Sequence, residues 1–207
     1  MTPAKAAALA QAIYSPVTPG IFSSVQSFDA VTVGLSKDGD TTCITFAGSE
    51  SGLDWVRDFQ ATPFKHPQLG TIHDGFWQGM GPAFKALYPK LSGKIAIIGH
   101  SLGAAHAAIL AGLCAINHIP VDQLFLFAPP KPGYSTLALL VDNWVREAHA
   151  YQNGDDPVPD VPVFIPVIAP WRQVAPITSI NVPPTGADAY DPFSWHAMGL
   201  YKEGVSS

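Results

Sequence analysis

The chain has 207 residues, 47% hydrophobic and 13% charged, with a net charge of −5. An average soluble domain carries ~25% charged residues, and a chain this apolar can offset its ordering entropy, which excludes wholesale disorder. No basic run of about five residues marks a nucleic-acid or anionic-membrane surface, and no apolar stretch of about 18 residues marks a membrane-spanning helix.

The length fits one domain over residues 1–207. Residues 4–14 are alanine-rich and read as a helix stopped at Ser15-Pro16. The N-terminus lacks a strongly apolar core after a basic start, so no signal peptide is read; a cytoplasmic chain and a secreted chain trimmed of its leader both fit. Phe28 to Leu35 and Thr41 to Ala47 read as two strands, joined by the hairpin turn chemistry of Ser36-Lys37-Asp38-Gly39-Asp40. After the Gly48–Gly52 loop, residues 53–59 predict a short helix, and residues 75–88 a longer one. Ile95 to Ile98 is a short apolar run ending at glycine, as a buried strand does. A helix from Leu102 to about Ile116 follows at once, then strands over Gln123–Ala128 and Glu147–Gln152. Strands alternating with helices predict an α/β fold, with a mostly parallel central sheet, an antiparallel hairpin at its start and helices on both faces. Thirteen of the 20 prolines follow Ser101, many between Pro157 and Pro184, where extended or looped backbone is expected. Cys43 and Cys114 lie in apolar segments and read as free buried thiols.

The sharpest chemical signal is Gly99-His100-Ser101-Leu102-Gly103. A G-x-S-x-G pattern means little alone, but here it lies between an expected strand and an expected helix. A nucleophile on so sharp a turn needs tiny neighbours, and the helix start brings N–H groups and a positive dipole end to a developing oxyanion. A serine needs a base, and the base an orienting acid. In an α/β-hydrolase the order is serine, acid, histidine. Of seven histidines, His66, His73, His100 and His106 stand in the wrong order, and only His196 follows all the loop carboxylates. The acid lies in Asn153-Gly154-Asp155-Asp156-Pro157, where local chemistry leaves Asp155 and Asp156 equivalent. Gly48 and Ser49, at the end of the second strand, are placed to supply an oxyanion donor. No metal-ligand spacing, phosphate loop or dinucleotide fingerprint is present, and the chemistry needs no cofactor.

Four motifs in this order resemble the class 3 lipases, the family of filamentous-fungus triacylglycerol lipases and their bacterial relatives. They are Phe46–Ser51 with Asp54-Trp55, Ile72-His73-Asp74-Gly75-Phe76, Gly99–Gly103 and Asn153–Pro159. Ala47 stands where that family usually has arginine. The resemblance implies an α/β-hydrolase fold and a triad of Ser101, Asp156 and His196, favouring Asp156 over Asp155. It implies that Ser49 and Leu102 give the oxyanion N–H groups, with His73 and His100 in support. It also implies a lid at 53–59, where Trp55, Val56 and Phe59 share one side at helical spacing.

The apolar, proline-broken stretch from Val158 to Trp171 begins beside the acid and is expected to wall an acyl pocket, with Phe164 and Ile165 in the lining. The expected activity is carboxylic ester hydrolysis by a lipase or esterase, on a soluble ester or at a lipid–water interface. A phospholipase, acyltransferase or aryl-ester hydrolase on the same triad is the alternative, as is a silent binding protein on a hydrolase scaffold.

Overall fold

A computed structural model of the chain describes residues 1–15, 20–49, 62–162, 170–185 and 191–206. Helix α1 (Pro3–Ala12) starts where the Thr2 hydroxyl accepts the Lys5 N–H, a side-chain cap for an otherwise orphan donor. Strands β1 (Ser24–Phe28), β2 (Val31–Asp38) and β3 (Thr41–Phe46) form an antiparallel meander. The expected hairpin is therefore β2–β3, extended by an outer strand, β1. Strands β4 (Pro63–His66) and β5 (Gly70–His73) make a separate two-stranded ribbon.

The helix expected over 75–88 is two helices, α2 (Asp74–Trp77) and α3 (Met80–Leu87). Gly79 separates them at φ 82°, where a Cβ would lie 2.2 Å from the Phe28 carbonyl oxygen. Next come β6 (Lys94–His100), α4 (Leu102–Ile116), β7 (Val121–Phe127), α5 (Ser135–Trp144), β8 (Val145–Asn153), β9 (Ile177–Ile180) and α6 (Met198–Gly204). The large sheet runs β1-β2-β3-β6-β7-β8-β9, and every pairing from β3 onward is parallel.

Alternation along the central strands divides the core in two, as a period of two requires. Ile95 and Ile97 of β6 and Leu124 and Leu126 of β7 pack under α4. Ala96, Ile98, Phe125 and Phe127 face the other way, against α1 and α6. Ala6, Ala7 and Ala10 are fully buried there, and their small size lets α1 sit close to the sheet. Helix α4 is apolar nearly all round and buried along its length, because the sheet covers one side and α3 and α5 cover others. Both cysteines are buried and free.

Among the described residues no helix is long and apolar enough to cross a membrane. The expected lid residues Trp55, Val56 and Phe59, and the expected pocket residues Phe164 and Ile165, lie outside the described residues.

Candidate active site

The parallel register sets Phe46 of β3 beside Gly99 of β6, and His100 beside Phe127 of β7. The C-terminal ends of these strands meet at one edge, where open α/β sheets hold their ligands. Ser101 sits between β6 and α4 at φ 59° and ψ −129°. A non-glycine residue in such a region costs about 1–3 kcal/mol, here fixed by the Ser101 N–H donating to the Phe127 carbonyl at 2.9 Å. The flanking glycines are steric necessities. A Cβ on Gly99 would lie 2.1 Å from the Gly103 carbonyl oxygen, and one on Gly103 would lie 2.4 Å from that of Phe46. Leu102 opens α4, and the first N–H groups of a helix have no acceptor within it.

The turn after β8 separates the two candidate acids. Asp155 is exposed, whereas Asp156 has no accessible surface. The Asp156 carboxylate accepts three hydrogen bonds: from the Val158 N–H to Oδ1 at 2.9 Å, and to Oδ2 from His196 Nδ1 at 2.8 Å and the Tyr201 hydroxyl at 2.5 Å. A carboxylate can only accept, so His196 carries a proton on Nδ1, and the neutral ring offers Nε2 as its acceptor. The Tyr201 hydroxyl in turn accepts the Asn153 N–H at 3.0 Å. Burial, and then the nearby Asp156 charge, push the Tyr201 pKa far up, so it acts as a neutral donor.

His196 ends a 3-10 turn, Pro192–His196, that starts where Asp191 Oδ1 accepts the Phe193 N–H at 3.0 Å. Two contacts hold this segment to the acid turn. Asn153 is fully buried, and its side-chain amide pairs with both backbone groups of Val182 and donates to the Trp195 carbonyl at 3.2 Å. Trp195 lies across Gly154, whose Cβ would sit 2.0 Å from the ring.

Ser49, Ser101 and His196 line one cavity of about 350 Å³, together with Tyr14, Phe193 and Met198. Sequence reasoning thus places Ser49, Ser101, Asp156 and His196 at one site, with Leu102 beside Ser101. It misses Tyr14, Asn153 and Tyr201, whose partners lie 29 to 86 residues away and leave no local signal. His100 is buried, and its pKa is held well below the usual histidine range by desolvation first and by His196 second. His73 lies between Phe76 and Trp171, against tilted rings at 4.4 and 5.7 Å.

A model of the Lipase (class 3) family matches residues 43–165, more than half of the chain. The chain is 28% identical over 144 residues to the secreted mono- and diacylglycerol lipase 1 of Fusarium solani, covering 64% of this chain and 42% of that protein. It is 33% identical over 110 residues to the lipase of Rhizomucor miehei, covering 44% of this chain and 29% of that one. The chain therefore aligns with less than half the length of these curated relatives. Among solved structures, the lipase of Rhizopus microsporus var. chinensis superimposes with a TM-score of 0.71 at 19% identity, over 89% of this chain and 75% of that one. The fold is that of the α/β-hydrolases.

Proposed function

The chain belongs to the class 3 lipase family, and from that premise we propose that it is a serine carboxylic ester hydrolase acting on lipid esters. The observation that carries the reading is the buried Asp156–His196 pair at 2.8 Å, opening onto the same cavity as the strained Ser101.

In this mechanism His196 Nε2 takes the Ser101 hydroxyl proton as Oγ bonds to the ester carbonyl carbon. The N–H groups of Ser49 and Leu102 stabilise the oxyanion, a term worth about 10²–10³ in kcat per donor. Asp156 holds the imidazole and stabilises the imidazolium. His196 then gives its proton to the leaving alkoxide oxygen as the C–O bond breaks. Water, deprotonated by the same nitrogen, attacks the acyl-enzyme; as the C–Oγ bond breaks, His196 returns that proton to Ser101 Oγ and the acid is freed. The wall formed by Phe193, Ala197 and Met198 is largely apolar and suits an acyl chain. We assign Trp55, Val56 and Phe59 to a lid, Phe164 and Ile165 to the acyl wall, and the whole chain to one domain, supported by its single continuous seven-stranded sheet. Relatives named as secreted lipases support action outside the cell rather than in the cytoplasm.

Hydrolysis of p-nitrophenyl esters from short to long acyl chains, with and without an emulsified interface, tests the reading in wild type and Ser101→Ala. Turnover lost with Ser101 supports it. Equal activity in the two proteins overturns the mechanism. Long-chain activity rising at the interface identifies a lipase, and activity confined to short soluble esters an esterase.

A further inference from the structure

Tyr14 follows α1 and reaches the site from a part of the chain that no motif marks. Its hydroxyl lies 2.7 Å from His100 Nδ1 and packs against Gly48. The approach is so close that a Cβ on Gly48 would sit 2.1 Å from the Tyr14 oxygen. The other His100 nitrogen, Nε2, is 3.0 Å from the His196 carbonyl oxygen.

Donor and acceptor roles along this chain are forced. A carbonyl only accepts, so His100 Nε2 carries the proton. Burial keeps His100 neutral, which leaves Nδ1 bare to accept from the Tyr14 hydroxyl. The Tyr14 oxygen meanwhile packs against Gly48. One directed series runs Tyr14 O–H to His100 and His100 Nε2–H to the His196 carbonyl, with Gly48 packed against the Tyr14 oxygen. It ties together the loop that carries Ser49, the residue before Ser101, and the backbone of His196.

We propose that Tyr14 is a positioning residue that sets the Ser49 oxyanion loop and the His196 backbone in one register, with His100 as the link. The proposal rests on the ester-hydrolase reading above for its effect on rate, although the hydrogen-bond series itself does not. The Tyr14 hydroxyl is committed to His100 and packs against Gly48. Without it the Gly48 peptide, one unit before the Ser49 N–H, loses the oxygen it packs against. Displacements on the order of 1 Å in such sites cost about 10²-fold in rate. The oxyanion contact forms fully only in the transition state, so the loss falls on kcat rather than KM.

The test is Tyr14→Phe, which keeps the ring and removes the hydroxyl. We expect kcat for a p-nitrophenyl ester to fall about 10- to 100-fold, with KM within about twofold of wild type and Tm lowered by only a few degrees. Wild-type kcat in Tyr14→Phe overturns the proposal, as does a loss carried by KM alone. If Tyr14→Phe does not fold, His100→Gln against His100→Ala decides. Glutamine can accept from Tyr14 and donate to the His196 carbonyl, so clearly higher kcat in His100→Gln supports the series, and equal loss in both overturns it.

If the wild type hydrolyses no ester, the ester-hydrolase reading fails separately. The proton NMR resonance of the His196 Nδ1–H bonded to Asp156 then gives the answer: a shift or faster solvent exchange in Tyr14→Phe supports the series, and an unchanged resonance overturns it.

Discussion

His106→Leu should stabilise the protein, and should do so more strongly in acid. His106 lies in the middle of α4 with no accessible surface, against the Phe46 ring at 6.0 Å. Neither ring nitrogen has a hydrogen-bond partner among the described residues. An unsatisfied buried polar group costs about 1–3 kcal/mol, which a leucine of similar size avoids.

Burial also holds the His106 pKa at about 3 in the folded chain, against ~6.5 when unfolded. Below pH 6.5 the unfolded chain therefore binds the extra proton and the folded chain does not. Stability must fall as pH drops through this window and level off near the folded pKa. At pH 4.5 the gap is about two pH units at 1.36 kcal/mol each, or about 2.7 kcal/mol. The advantage of His106→Leu over wild type should thus be about 1–3 kcal/mol at pH 7.5 and about 2.7 kcal/mol larger at pH 4.5. Urea unfolding of both proteins at the two pH values measures this double difference, in which every other titrating group cancels. An advantage equal at both pH values to within about 0.5 kcal/mol would refute the neutral, desolvated imidazole.

Asp156→Asn should lower kcat by about 10⁴-fold, because the amide favours the wrong histidine tautomer. Asp155→Asn, on the exposed side of the same turn, should stay within about twofold, and steady-state kinetics on one ester separates the two. Tyr201→Phe removes a donor from the buried Asp156 carboxylate and an acceptor from the Asn153 N–H. It should cost about 2 kcal/mol, seen as a Tm lower by about 4–8 °C; an unchanged Tm would show that the hydroxyl carries no net stability.

The nucleophile turn was legible because its geometry admits almost nothing else: both flanking positions must lack a Cβ, and the sequence places glycine at both. The choice between Asp155 and Asp156 was not, since adjacent residues of one type differ only in which side of the turn they face. The helix boundary at Gly79 was hidden for a related reason. Glycine inside a helical pattern is tolerated, and only the distant Phe28 carbonyl makes it a break. Strand β1 escaped notice because it is an outer strand whose three central residues are exposed, so no apolar alternation betrays it. Tyr14 and Tyr201 act through partners 86 and 45 residues away. Local pattern carries no trace of such pairs, and only the assembled sheet brings them together.

Residues 196–201 hold both His196 and the tyrosine that braces Asp156, while the turns bearing Ser101 and Asp156, after β6 and β8, precede them in the chain. During synthesis the nucleophile turn therefore emerges from the ribosome well before the base does. The nascent polypeptide carries Ser101 without anything to deprotonate it. Esterase turnover should switch on only when residues 196–201 dock, which makes its appearance during refolding a clock for that single step, separate from the earlier gain of secondary structure.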